Sequence, residues 1–113
     1  MTALSKARQL FFKGSLDVLV LKALALAPMH GFELTQWLAT RSDNAFELDE
    51  AAVYQALYRL EGRGLIDARW GQSDRGRRAR YYRLTTAGRA ELKAEAARWR
   101  AYARVMTSIL ESR

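Results

Sequence analysis

The 113-residue chain contains no cysteine, which excludes disulfides, thiolate metal sites and a cysteine nucleophile. It has one histidine, His30, so no second imidazole is at hand for a metal cluster or a proton relay. No apolar run approaches the roughly 20 residues that span a bilayer. The start of the chain shows no basic segment followed by a long apolar run and a small-residue cleavage site. A soluble, cytoplasmic protein without membrane contact is therefore expected. Paired carboxylates, a nucleophile–base set and a phosphate loop are missing too, so neither an enzyme nor a bound cofactor or metal is expected. Half of the residues are hydrophobic, which argues against disorder, and the length suits one domain with a modest core.

The formal net charge is +7, and its placement is informative. Between residues 59 and 89 stand nine arginines (59, 63, 69, 75, 77, 78, 80, 83 and 89) against Glu61, Asp67 and Asp74. That window holds +6 of the +7. No acid falls from Arg75 to Arg83. Such concentration is the footprint of a polyanion partner, and arginine suits bidentate phosphate contact better than lysine. A membrane surface could also attract these charges, but the window lacks a long basic amphipathic helix with an apolar face. Nucleic acid is favoured.

Residues 49–65, DEAAVYQALYRLEGRGL, read as one helix with a sharp stop. Asp49 suits the N-cap, Glu50 complements the helix dipole, and Gly62 and Gly64 stand where a left-handed residue closes a helix. At about 100° per residue, Val53, Leu57 and Leu60 share one side. Ala51, Gln55, Tyr58 and Arg59 point the other way, with Tyr54 at the flank. Small at its start and hydrogen-bonding further along, that face suits a DNA major groove. Taken alone, such a segment is more often an ordinary amphipathic surface helix, so its neighbours decide.

Residues 1–14 form a short lead in which Leu10, Phe11 and Phe12 can pack on a neighbour. A helix is expected from Ser15, its cap, with Leu16, Leu19, Val20, Ala23 and Leu24 at helical spacing. Val18, Leu21 and Leu26 lie on other sides, so burial in more than one direction is expected. Pro28 ends it. After a tight turn at Met29, His30 and Gly31, a helix over about 32–40 turns Leu34, Trp37 and Leu38 inward. His30, with no partner acid evident nearby, is expected to stabilise the turn rather than carry protons. Phe46 and Leu48 suit a very short strand or a staple.

Beyond Gly64 the period changes. Residues 65–70 alternate as a strand with Ile66, Ala68 and Trp70 on one face, and residues 80–84 alternate again, with Tyr82 and Leu84 opposite Tyr81 and Arg83. Residues 71–78, GQSDRGRR, are charged turn chemistry between them. Two strands with an arginine-rich tip after a helix-turn-helix make a wing. Thr85 or Thr86 then caps a last helix to about Leu110. Leu92, Ala96, Trp99, Ala103, Met106 and Leu110 recur in steps of four and three, a narrow coiled-coil seam widened by Tyr102 and Ile109. The seam spans roughly 27 Å at about 1.5 Å per residue. It either folds back on its own domain or is covered by a second copy, and the second is favoured for a DNA reader of this size.

The order of elements, with GSLDVLVLKAL from Gly14, HGFEL from His30, VYQALYRLEGRGLI from Val53 and RYYRLTTAGRAEL from Arg80, resembles the PadR family of bacterial winged helix-turn-helix regulators. The resemblance covers nearly the whole chain and matches the short form with a single C-terminal helix. It implies a mainly α fold with a small β-hairpin wing: a DNA-binding domain over residues 1–84 and a dimerisation helix over 85–113. It implies a homodimeric regulator of transcription, a repressor, on a two-fold symmetric operator in double-stranded DNA. Carried over by position, Tyr54, Tyr58 and Arg59 serve the recognition helix, and Arg75, Arg77, Arg78 and Arg80 the wing. Ala51 and Gln55 join them through the outward face. Many members have a proline where Gln55 stands, so a family operator does not transfer. Some members bind planar aromatic effectors beside the C-terminal helices, which puts Trp99, on the seam with Leu92, Tyr102, Met106 and Leu110, in line for that role. A large aromatic on such a seam is more often core. The competing reading is an interaction module whose basic wing meets an acidic protein.

Overall fold

The computed structural model describes residues 14–45 and 50–113. Five helices and strands precede a long final helix: α1 (Ser15–Leu26), α2 (Gly31–Arg41), α3 (Glu50–Gly62), β1 (Ile66–Gln72), β2 (Arg78–Leu84) and α4 (Thr86–Leu110). Leu10, Phe11, Phe12, Phe46, Leu48 and the expected cap Asp49 lie outside the described residues.

Helix α1 lies at the centre and packs on α2, α3, α4 and β2. Val20, Leu21, Ala23 and Leu24 are buried, and Leu16 and Leu19 pack partly against the core. Two expectations need correction. The cap position is Gly14 rather than Ser15, with a left-handed φ of 86°, which glycine adopts without a Cβ penalty. Leu26 is exposed, because this final helical residue falls outside the arc of buried Val20, Leu21, Ala23 and Leu24. Ala27 is fully extended, as the residue before proline prefers.

Helix α2 begins with a reciprocal capping box. The Glu33 amide donates to His30 Nδ1 at 3.2 Å, and the His30 amide donates to Glu33 Oε1 at 3.1 Å. His30 therefore stabilises the helix start, and it does so with an acid partner three residues on. Leu34 and Leu38 are buried; Trp37 is half-buried against the core, with Arg41 over its ring. Helix α3 buries Val53, Ala56, Leu57 and Leu60. It ends in a Schellman motif around Gly64, φ 74°: the Gly64 and Leu65 amides return to the Glu61 and Leu60 carbonyls at 3.0 Å each.

The hairpin is antiparallel, with Ile66 opposite Leu84, Ala68 opposite Tyr82 and Trp70 opposite Arg80. Both strands run further than alternation suggests, because Gly71, Gln72, Arg78 and Ala79 also pair. The loop narrows to residues 73–77, closed by the Ser73 amide on the Arg77 carbonyl at 2.8 Å. Met29 extends the sheet, exchanging backbone hydrogen bonds with Tyr82 at 3.2 and 2.9 Å. What reads in sequence as a simple turn is thus the clamp that fixes the wing to the helical body.

Helix α4 starts at Thr85, whose hydroxyl accepts from the Gly88 amide at 3.0 Å and donates to the Gly64 carbonyl at 2.8 Å. Gly88 lies so close to the α3–β1 turn that a Cβ there would stand 2.0 Å from the Leu65 carbonyl oxygen. At about 1.5 Å per residue, its 25 residues reach roughly 37 Å. From Tyr102 onward every residue is exposed, and the molecule measures 57 × 36 × 20 Å.

Candidate nucleic-acid interface

Burial of Val53, Ala56, Leu57 and Leu60 against α1 and α2 turns the opposite side of α3 outward. Ala51, Tyr54, Gln55, Tyr58 and Arg59 are all exposed, Tyr58 by 81%. Tyr54, Gln55, Tyr58 and Arg59 form one shallow surface. Tyr54 is held at the flank by its ring lying on Gly31, where a Cβ would meet the ring at 2.4 Å. Partial burial, with Glu50 and Tyr82 adding, pushes its phenol above the ordinary tyrosine value. Tyr54 therefore stays a neutral hydrogen-bond donor.

The wing carries its basic groups beside this helix. A concavity of about 800 Å³ lies between β1, β2, their loop, the start of α2 and Tyr54. It gathers five of the nine anticipated DNA contacts, Tyr54, Arg75, Arg77, Arg78 and Arg80. Ala51, Gln55, Tyr58 and Arg59 are not among its lining residues. Within it the Arg78 guanidinium stacks on the Trp70 ring, 4.6 Å from the centroid, a cation–π contact that holds a mobile side chain over an otherwise exposed indole. Tyr81, on the other face of the hairpin, donates from its hydroxyl to the Gln72 carbonyl at 3.1 Å and stiffens the strands near the tip.

Charge counting along the sequence overstates the free positive charge. Arg59 donates to Asp17 of α1, with Nη2 2.7 Å and Nε 3.5 Å from the carboxylate. That hydrogen bond raises the guanidinium's pKa against the opposing effect of desolvation. Arg80 donates to Glu61 at 3.0 Å, Arg63 to Glu91 at 3.2 Å and Arg83 to Asp67 at 3.3 Å. Arg69, Arg75, Arg77, Arg78 and Arg89 make no ion pair among the described residues. Thus, among the described residues, Arg75, Arg77 and Arg78 have no carboxylate partner on the wing, while Arg59 and Arg80 each have one.

Several groups at this surface escape sequence reasoning. His30, Phe32, Glu33 and Gln36 bring the start of α2 into the concavity. The visible signal was Phe32, an aromatic off the apolar side of its helix. Asp17 meets Arg59 across 42 positions, which no local pattern reveals.

On α4 the anticipated dimer residues divide. Leu92 packs partly on the chain's own core, whereas Tyr102, Met106 and Leu110 are exposed together with Val105 and Ile109. Trp99 is half-buried and meets Tyr102 edge to face at 5.9 Å. Among the described residues no group of three or more metal-ligating side chains occurs, and no helix is long and apolar enough to cross a membrane.

Three helices, the third with its polar face outward, followed by a two-stranded wing define a winged-helix DNA-binding fold. Comparison with known proteins agrees. The sequence profile of the transcriptional regulator PadR-like family matches residues 20–94. A PadR family transcription regulator from Clostridium difficile R20291 is 32% identical with a TM-score of 0.74, over 86% of this chain and 99% of that one. A transcriptional regulator from Clostridium thermocellum is 25% identical with a TM-score of 0.79, over 88% and 93%. An uncharacterized protein of Lysinibacillus sphaericus is 32% identical over 87 residues, 77% of this chain and 80% of that protein. The chain belongs to the PadR-like family of transcriptional regulators, a family defined by regulation of transcription and not by an enzymatic reaction.

Proposed function

We propose that this PadR-like regulator binds double-stranded DNA as a homodimer and acts in the cytoplasm as a repressor. The observation that carries the reading is the adjacency of two surfaces. The outward face of α3 bears Gln55 and Tyr58, and the neighbouring concavity bears Arg75, Arg77 and Arg78, which make no ion pair among the described residues. Phosphate contacts from the wing fix register, and groups on the helix read base edges. The Gln55 amide suits bidentate contact with adenine. Tyr54, held against Gly31, suits a phosphate contact, and Ala51 leaves room for the groove wall.

The dimer rests on the exposed apolar stripe of Tyr102, Val105, Met106, Ile109 and Leu110. A second copy covers such a stripe with the same residues, and its two-fold axis yields a two-fold symmetric operator. Trp99, beside Tyr102, would then approach its counterpart and accept a planar aromatic effector between the two indoles. Fluorescence titration of Trp99→Phe beside the parent tests this; an unchanged ligand response removes Trp99 from the role.

Selection of genomic DNA fragments by the protein, followed by sequencing and gel shift at moderate salt, tests the main reading. An enriched motif with two-fold symmetry supports it. Failure to retain any duplex, with retention of acidic proteins instead, would replace it by the interaction-module reading. A promoter–reporter fusion carrying the recovered motif must lose expression when the regulator is supplied, since a gain would make it an activator.

A further inference from the structure

The two arginines of the DNA-facing surface that have carboxylate partners, Arg59 and Arg80, differ from their unpaired neighbours in a way that bears on specificity. Asp17 stands in the first turn of α1, where the helix dipole favours its charge. Its side chain is 21% exposed, and Arg59 reaches it through two nitrogens. Glu61 lies near the end of α3 and is 33% exposed, with Arg80 of β2 at 3.0 Å. Arg59 belongs to the surface with Gln55 and Tyr58, and Arg80 lines the wing concavity. Each acid therefore occupies a guanidinium where a phosphate would otherwise dock.

Exchange of partners is unfavourable for a physical reason. Moving Arg59 from Asp17 to a phosphate trades one charge-assisted hydrogen-bonded pair for another. It also leaves a half-enclosed carboxylate uncompensated beside a polyanion. Phosphate contacts carry most of the sequence-independent affinity, so an arginine kept from phosphate lowers non-specific binding while leaving base contacts in place. Resting on the DNA-binding reading above, we propose that Asp17 and Glu61 are specificity-determining residues that withhold Arg59 and Arg80 from the DNA backbone. The chain thereby limits its attraction to DNA of arbitrary sequence.

The test is the salt dependence of binding to a fluorescein-labelled mixed-sequence duplex, followed by anisotropy for the parent, Asp17→Asn, Glu61→Gln and the double variant. Each released arginine adds about 0.9 to the slope of log affinity against log salt, or about 1.8 for the two protomers of a dimer. Over about 50 to 200 mM salt each single variant then loses roughly 12-fold more affinity than the parent. It also binds more tightly than the parent at the low-salt end. Asp67→Asn removes the same charge from a pair with Arg83, which lies outside both surfaces, and should keep the parental slope. Parental slopes in Asp17→Asn and Glu61→Gln, in protein that melts cooperatively, would overturn the proposal. So would a slope in Asp67→Asn as steep as theirs, since any lost acid would then suffice. A parent that binds no duplex at all would instead sink the DNA-binding reading itself.

Discussion

Replacing Gly88 with alanine sets two effects of opposite sign against each other. Helix propensity alone favours alanine by about 1 kcal/mol in a helix interior. The structure puts the new Cβ 2.0 Å from the Leu65 carbonyl oxygen, 2.8 Å from Leu84 Cδ1 and 3.0 Å from the Leu65 carbonyl carbon. Ordinary carbon–oxygen contacts are about 3.3 Å or longer, so the start of α4 must retreat by roughly 1.3 Å. The nearest obstacle is backbone, and no rotamer change relieves it. Overpacking of this kind costs about 1–3 kcal/mol. Retreat also strains the Thr85 amide bond to Leu65, 3.1 Å, and the Thr85 hydroxyl bond to Gly64, 2.8 Å; their loss costs about 1 kcal/mol each. After the propensity gain, the net loss is about 2–4 kcal/mol, or roughly 8–16 °C in melting temperature for a domain of this size. Thermal unfolding followed by far-ultraviolet circular dichroism reads this directly. Gly62→Ala is the control, because nothing lies within 4 Å of a Cβ there, and it should melt at or slightly above the parent. If Gly88→Ala also melts at or above the parent, α4 is not seated on the α3–β1 turn as described.

Other perturbations separate reading from docking. Gly31→Ala meets the tip of the Tyr54 ring at 2.4–2.6 Å; the ring can swing away, so melting changes little while DNA affinity falls as far as in Tyr54→Ala. Gln55→Ala should relax preference at one base pair by about 1–3 kcal/mol in a binding-site selection, with the salt slope unchanged. Arg77→Ala should weaken binding to all sequences alike and reduce the slope by about 0.9 per contact. Met106→Glu buries a charge in the proposed α4 seam, and sedimentation velocity should show monomers; retention of the dimer would move the interface elsewhere.

Local signals were legible in the sequence wherever one segment sufficed to set the structure. The inward face of α3 follows from Val53, Leu57 and Leu60, its stop from Gly64, and the start of α4 from Thr85. The alternation at Ile66, Ala68, Tyr82 and Leu84 was enough to identify a hairpin. Its extent was less clear, because Gly71, Gln72 and Arg78 look like loop residues and pair only through backbone atoms whose bonding does not depend on side chains. Pairings distant in sequence stayed hidden for a related reason. Met29 bonds Tyr82 through backbone alone, and Asp17, Glu61, Asp67 and Glu91 look like solvated surface acids until the fold brings each to an arginine. Summed charge located the candidate interface, yet it could not say which arginines are unpaired. Leu92 shows the same limit: its spacing fits the α4 seam, but α4 packs on α1 near its start, and Leu92 turns partly into the chain's own core.

The central claim is that the unpaired wing arginines meet DNA phosphates in a dimer. It is tested most directly by the affinity for duplex DNA measured against salt concentration. Arg75, Arg77 and Arg78 from two protomers give six contacts, a slope of about −5 and a loss of roughly 10³-fold between about 50 and 200 mM salt. A slope near zero, with binding retained, would contradict the account.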